Sequence, residues 1–149
     1  MAATDDPLGD CLAALKTAWS AAASLNGIGG PHLSTRPAGP AGAPAPPLGP
    51  FPYATVETEP SVLDRWTCDN EYWDNGITFW IHESTAELVL ASVNLVRAVF
   101  VPETLSLPLA NGGVVRKRIE QSRFEQLDEY VHRGSVPISL YTRRPRVKS

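Results

Sequence analysis

The chain has 149 residues, 43% of them hydrophobic and 19% charged, a composition that fits one globular domain with a modest core and argues against a disordered or membranous class. A formal charge of −3 gives no global attraction to nucleic acid. Without an apolar run of eighteen residues, and with the acidic opening MAATDDP, the chain reads as one that stays in the cytosol of the cell that makes it.

In chain order, Leu8, Cys11, Leu12, Leu15, Trp19, Ala22 and Leu25 recur at three- and four-residue steps, which predicts a helix over about 6–25. Asp5 and Asp6 suit its start, Pro7 its first turn and Gly27 its stop. Residues 31–50 hold seven prolines with glycines between them, so no regular ladder is expected there. The segment reads as a Pro-rich arm or loop, and two readings stand: a surface linker, or an arm lying on a neighbouring subunit. Phe51 to Glu57 is β-branched and aromatic and predicts a strand ended by Pro60.

Ser61 to Gly76 reads as a connection rich in Asp, Asn and Trp. Ile77 to His82 then alternates, with Ile77, Phe79 and Ile81 on one face. Ser84 and Glu87 form an S-x-x-E capping box that predicts a helix over about 84–101. Its expected packing stripe is Leu88, Ala91, Leu95, Ala98 and Val99, widened by Val89, Ser92 and Val96. Thr104 to Leu109 reads as a short extended piece, the Ala110-Asn111-Gly112-Gly113 turn joins it to a partner over 114–125, and a last strand is expected over 130–142. Pro137 would make that strand an edge or give it a bulge, and 143–149 reads as a basic tail. The order predicts an α+β fold, a mainly antiparallel sheet with two helices packed on one face, in a single domain spanning 1–149.

Little here predicts catalysis. His32, His82 and His132 belong to no HxH, HExxH or nucleophile-elbow pattern, and no catalytic residue is assigned. Asp64, Asp69, Glu71 and Asp74 lack calcium-loop spacing and read as a solvated acidic loop; Cys11 and Cys68 lack metal or redox spacing and read as reduced thiols, Cys11 in the core. No metal or cofactor is expected, and Gly27-Ile28-Gly29-Gly30 follows a helix, so it is a stop signal and not a dinucleotide fingerprint. Trp66, Tyr72 and Trp73 stand in polar surroundings, where they fit either an interface centre or core packing. Charge is uneven: residues 1–100 carry eleven Asp/Glu against four Lys/Arg, and 101–149 carry five against nine. Copies could therefore meet head to tail with opposite potentials, unless folding mixes the two halves. Arg116, Lys117 and Arg118 fit either phosphates or an acidic neighbour.

The LxxALxxxW-type helix, the Pro52–Glu57 strand, the Ile77–His82 strand, the Leu/Val/Ala helix and the Arg-flanked closing hairpin together resemble the tail-completion family of long-tailed bacteriophages, which includes the tail terminators. The resemblance covers most of the chain except the arm and the tryptophan-bearing connection. It implies a non-enzymatic virion protein of the tail and neck, assembled in the host cytoplasm. Such a subunit forms a hexameric ring that stops tail-tube growth and joins the tube to the head. Its implied partners are copies of itself, the tail tube protein, a head-closure or connector protein and, non-specifically, DNA in the lumen; no membrane is involved. The expected interface anchors are Trp66, Tyr72, Trp73 and Trp80, with Arg143, Arg144 and Arg146 as partner or lumen contacts. The rival readings are another neck component, head-closure or connector, and a small α+β enzyme or ligand-binding module.

Overall fold

The computed structural model describes residues 7–33 and 51–146. Two helices, α1 (Pro7–Ala21) and α2 (Ala86–Phe100), accompany seven strands. The strands are β1 (Gly29–Leu33), β2 (Tyr53–Thr58), β3 (Val62–Trp66), β4 (Asn70–Glu83), β5 (Gly113–Ile119), β6 (Phe124–Asp128) and β7 (Val131–Pro145). Every strand pair is antiparallel except β1 with β2, so the expected α+β class with a mainly antiparallel sheet is what forms.

The sheet is built on one long ribbon. β4 and β7 run antiparallel in unbroken register from Asn70 opposite Pro145 to Glu83 opposite His132. On its outer edge each is too long for one further neighbour, so each has two there. Along β4, β2 pairs with 77–82 and β3 with 71–74; along β7, β6 pairs with 131–134 and β5 with 138–143. The result is a proximal zone in the order β1-β2-β4-β7-β6 and a distal zone in the order β3-β4-β7-β5.

Alternation decides what the two helices cover. Ile77, Phe79 and Ile81 of β4, Val136, Ile138 and Leu140 of β7, and Ala54 and Val56 of β2 share one face and are buried beneath Cys11, Leu15 and Trp19 of α1 and Val89, Val93, Val96 and Phe100 of α2. Trp19, Phe79 and Phe100 meet at the junction of both helices and the sheet, with ring centroids 5.1 to 6.3 Å apart. Pairs at this spacing add roughly 0.5–1.5 kcal/mol each beyond the area they bury. α1 ends at Ala21, four residues before the expected end at 25, and a single 3-10 turn at Ala23–Leu25 covers the remainder before Gly27.

Several expectations are corrected. α2 is capped by Thr85, whose Oγ1 accepts from the Leu88 amide at 3.2 Å, and not by Ser84. It packs through Val89, Ser92, Val93, Val96 and Phe100. Leu88, Ala91, Leu95 and Ala98 face outward, because α2 is apolar on both sides and the narrow β-branched side fits against the sheet. The connection 61–76 is in fact the hairpin of β3 and the distal half of β4. Residues 104–109 form no strand, and β5 pairs with β7 instead. Of the Pro-rich arm, 31–33 belong to β1, which places His32 on a strand, and 34–50 lie outside the described residues. Of the basic tail, Arg143, Arg144 and Pro145 belong to β7, while 147–149 lie outside the described residues.

Pro137 sits in a central strand whose register with β4 is unbroken, where an edge or a bulge was expected. Its carbonyl accepts from the Glu120 amide at 2.9 Å, so its nitrogen, which points to the same side, faces the gap between the end of β5 and the start of β6. The missing donor costs no ladder bond there.

Candidate functional site

Six of the seven expected anchors lie in the distal zone, divided between its two faces, and their placement follows from the ribbon's register: Tyr72 and Arg143 share one face, and Trp66, Trp73 and Arg144 the other. Tyr72 stands opposite Arg143, Glu71 opposite Arg144, and Trp66 opposite Glu71. Arg146 lies 4.8 Å over the Trp66 ring, and its amide donates to the Asp69 carbonyl at 2.8 Å, which ties the end of β7 to the β3–β4 turn. Trp73 donates to Glu71 Oε1 at 3.2 Å. Trp66 is half exposed, Tyr72 and Trp73 are partly buried, Arg143 is exposed and Arg144 is buried.

Trp80, the seventh, stands apart in the proximal zone. Its indole donates to Glu57 Oε2 at 2.9 Å and its ring is covered by Arg133 at 3.9 Å, with Arg133 in turn paired to Glu125. The ring is buried inside the subunit.

The sheet face opposite the helices carries a row of four side chains, one from each distal strand. Arg65 of β3 lies 4.4 Å over Tyr72 of β4, Tyr72 stacks on Tyr141 of β7 at 5.9 Å, and Arg116 of β5 lies 5.0 Å over Tyr141. Tyr141 donates its hydroxyl to Asp64, which holds the phenol above its usual range. On the helix-side face at the same level, buried Asn75 donates to the Leu140 carbonyl and to Thr142 Oγ1, both at 3.1 Å, and accepts from Ser61. These polar groups are satisfied, so they fix the register between β3, β4 and β7.

The three histidines do not converge. His32 lies on β1, His132 near the start of β7, and His82 is buried under Tyr53, whose ring stacks on it at 4.6 Å. Burial first, and Arg133 second, lower the His82 pKa to about 4, so it is neutral near pH 7, with Nε2 3.2 Å from Thr55 Oγ1. Asp64 and Glu71 of the acidic segment are likewise taken up by Tyr141 and Trp73.

What the subunit leaves open is apolar surface. Among the described residues, twelve large hydrophobic side chains are exposed, nine of them in three groups and Phe51, Val101 and Val115 apart from these. The outer side of α2 contributes Leu88, Leu90 and Leu95; the β6–β7 hairpin contributes Phe124, Leu127 and Tyr130; the β3 edge contributes Val62, Leu63 and Trp66. A cleft of about 550 Å³ runs beside β5, between Val114–Lys117 and residues 103–107. Sequence reading found Trp66 but missed Val62, Leu63 and Val115, whose signal is a β-branched or aliphatic pair flanked by polar residues in each strand.

No helix among the described residues is long and apolar enough to cross a membrane. No protein-family model and no curated protein matches the chain. Among solved structures, its fold is similar to that of a chain in the virion of a native gene transfer agent particle: TM-score 0.63 at 13% identity, over 94% of this chain and 99% of that one.

Proposed function

We propose that this chain is a structural, non-enzymatic subunit of a phage-like virion, a tail-completion protein of the terminator type. In this reading it forms a ring, six copies in the family it resembles, that caps the tail tube and joins it to the head or neck. The observation that carries the reading is a fold likeness to a gene transfer agent virion chain that spans almost the whole of both molecules, with no large unmatched module. The surface supports it, because large exposed apolar groups on α2, the β6–β7 hairpin and β3 suit a subunit buried by neighbours. The work of such a protein is interface complementarity, and the distal cluster of Trp66, Tyr72, Trp73, Arg143, Arg144 and Arg146 supplies aromatic and arginine groups of the kind enriched at interface centres. It would act in the virion tail or neck after assembly in the host cytoplasm, touching the tail tube protein, a head-closure or connector protein and, without sequence preference, DNA in the lumen.

Native mass spectrometry and electron microscopy of the purified protein, alone and mixed with tail tubes, test this. Rings that decorate tube ends support a terminator. Rings that ignore tube ends and bind the portal side point to a head-closure or connector component instead. A monomer at all concentrations, with a small molecule held in a cleft, overturns the structural reading.

A further inference from the structure

We infer that the free edge of β3 in one copy pairs with the free edge of β5 in the next, so that the distal zone continues as one sheet from subunit to subunit. This rests on the ring reading above and names the contact that closes it.

β3 and β5 are the two outer strands of the distal zone, at the same level of the β4–β7 ribbon: Leu63 lies opposite Trp73, Trp73 opposite Thr142, and Thr142 opposite Val114. Neither outward edge makes a backbone hydrogen bond to another described segment. Because β3, β4, β7 and β5 alternate in direction, copies set side by side in one orientation bring β5 against the next β3 antiparallel, the geometry of an ordinary ladder. The contact is heterologous, one edge of the molecule against the opposite edge, and that is the kind that closes rings.

The side chains fit a covered edge better than a solvated one. An exposed strand edge is normally blunted by charge or proline, yet β3 exposes Val62 at 61%, Leu63 at 44% and Trp66 at 50%. β5 exposes Val115 at 55% beside a cleft walled by Leu105 and Leu107, where an added strand would find apolar contact. β5 is the more basic edge: Arg116, Lys117 and Arg118 stand on it with no acidic residue in the strand, whereas β3 carries both Asp64 and Arg65 and is preceded by Glu57 and Glu59. Each edge has one bulge, at Asp64 and at Val115, and both fall within a residue of the Thr142 level. A bulge twists an edge and discourages indiscriminate pairing, so the added ladder would run on either side of the two bulges.

The test joins a variant pair to a measurement on the unaltered protein. In a Cys68→Ser background, which removes the exposed native thiol, Leu63→Cys and Val115→Cys are combined and treated with a short bismaleimide. The expected product is a ladder of covalent multimers ending at the ring's copy number, with no ladder from either single variant. In the wild-type ring, hydrogen exchange should slow for amides of 62–66 and 113–119 relative to the dissociated subunit. A ring seen by native mass spectrometry that gives neither crosslink nor slowed exchange overturns the edge contact and leaves the ring reading standing. Efficient dimers from Leu63→Cys alone also overturn it, since they report a two-fold contact. A protein that never associates overturns both.

Discussion

At Gly134 α2 lies close against the sheet, and a methyl group there tests how tightly the two layers are fitted. A Cβ built on Gly134 would lie 2.7 Å from Val93 Cγ2, 2.8 Å from Val89 Cγ1 and 3.0 Å from Phe124 Cδ1. Three carbons from two elements would each have to retreat by about 0.5 to 1 Å to reach normal contact distance, against a core that is already close-packed. Overpacking of that kind costs roughly 1–3 kcal/mol, and the smaller conformational freedom of unfolded Ala returns about 0.4–1 kcal/mol. Gly134→Ala should therefore lose about 1–2 kcal/mol by urea unfolding with an unchanged m value, and about 3–8 °C in thermal midpoint for a domain of this size. Gly113→Ala is the control, because a Cβ there meets nothing within 4 Å, and it should be neutral within about 0.5 kcal/mol. If Gly134→Ala proves as stable as the wild type, the close seating of α2 on β7 is wrong.

His82 makes stability pH-dependent. Its folded pKa of about 4 is below the ordinary 6.5, so the unfolded chain binds more protons between those values, and stability present in full above pH 6.5 is lost as pH falls toward 4. The loss should be on the order of 2 kcal/mol, and His82→Gln should flatten the denaturation midpoint over that window relative to wild type. Trp80→Ala should cost about 3–5 kcal/mol of subunit stability, since its ring is buried between Glu57 and Arg133. Trp66→Ala, by contrast, should leave the melting of the isolated subunit within about 1 kcal/mol of wild type while weakening association measured by light scattering. An equal loss of stability in both variants would place Trp66 in the core and remove it from the interface. Thr85→Ala should cost about 1 kcal/mol in calorimetry and Ser84→Ala almost nothing; the opposite order would restore Ser84 as the cap of α2.

The parts of the fold that were legible in the sequence are those in which one periodicity had no competitor. α1 shows a single apolar stripe between a proline and a glycine, and Ile77, Phe79 and Ile81 alternate with polar neighbours, so helix, strand and buried face all followed. α2 was recognised, and the widening residues Val89, Ser92 and Val96 of its expected stripe are buried, but the stripe was centred on the wrong side, because Leu88, Leu95 and Ala98 are as apolar as Val89, Val93 and Val96, and only the tertiary fit chooses between the two. The β3–β4 hairpin was hidden because its apolar residues do not alternate, Val62 next to Leu63 and Tyr72 next to Trp73: cross-strand stacks such as Arg65 on Tyr72 and the Asn75 hydrogen bonds hold it, and no local pattern reports either. Pro137 misled because its compatibility with a central strand depends on where two other strands end. The aromatic and arginine cluster was visible as composition, but its separation from Trp80 depends on register, and the apolar edges of β3 and β5 required knowing which strands lie outermost.

The unbroken run of fourteen residues in β4, paired throughout with β7, makes a beam roughly 45 Å long at the usual rise of a strand. Such a beam has no interruption at which to flex, so a push on its Trp66 end must reappear at its His132 end as a tilt of the whole body. A layer of copies built on it would pass a disturbance from one rim to the other by rotating its members together, with none of the energy absorbed in a hinge.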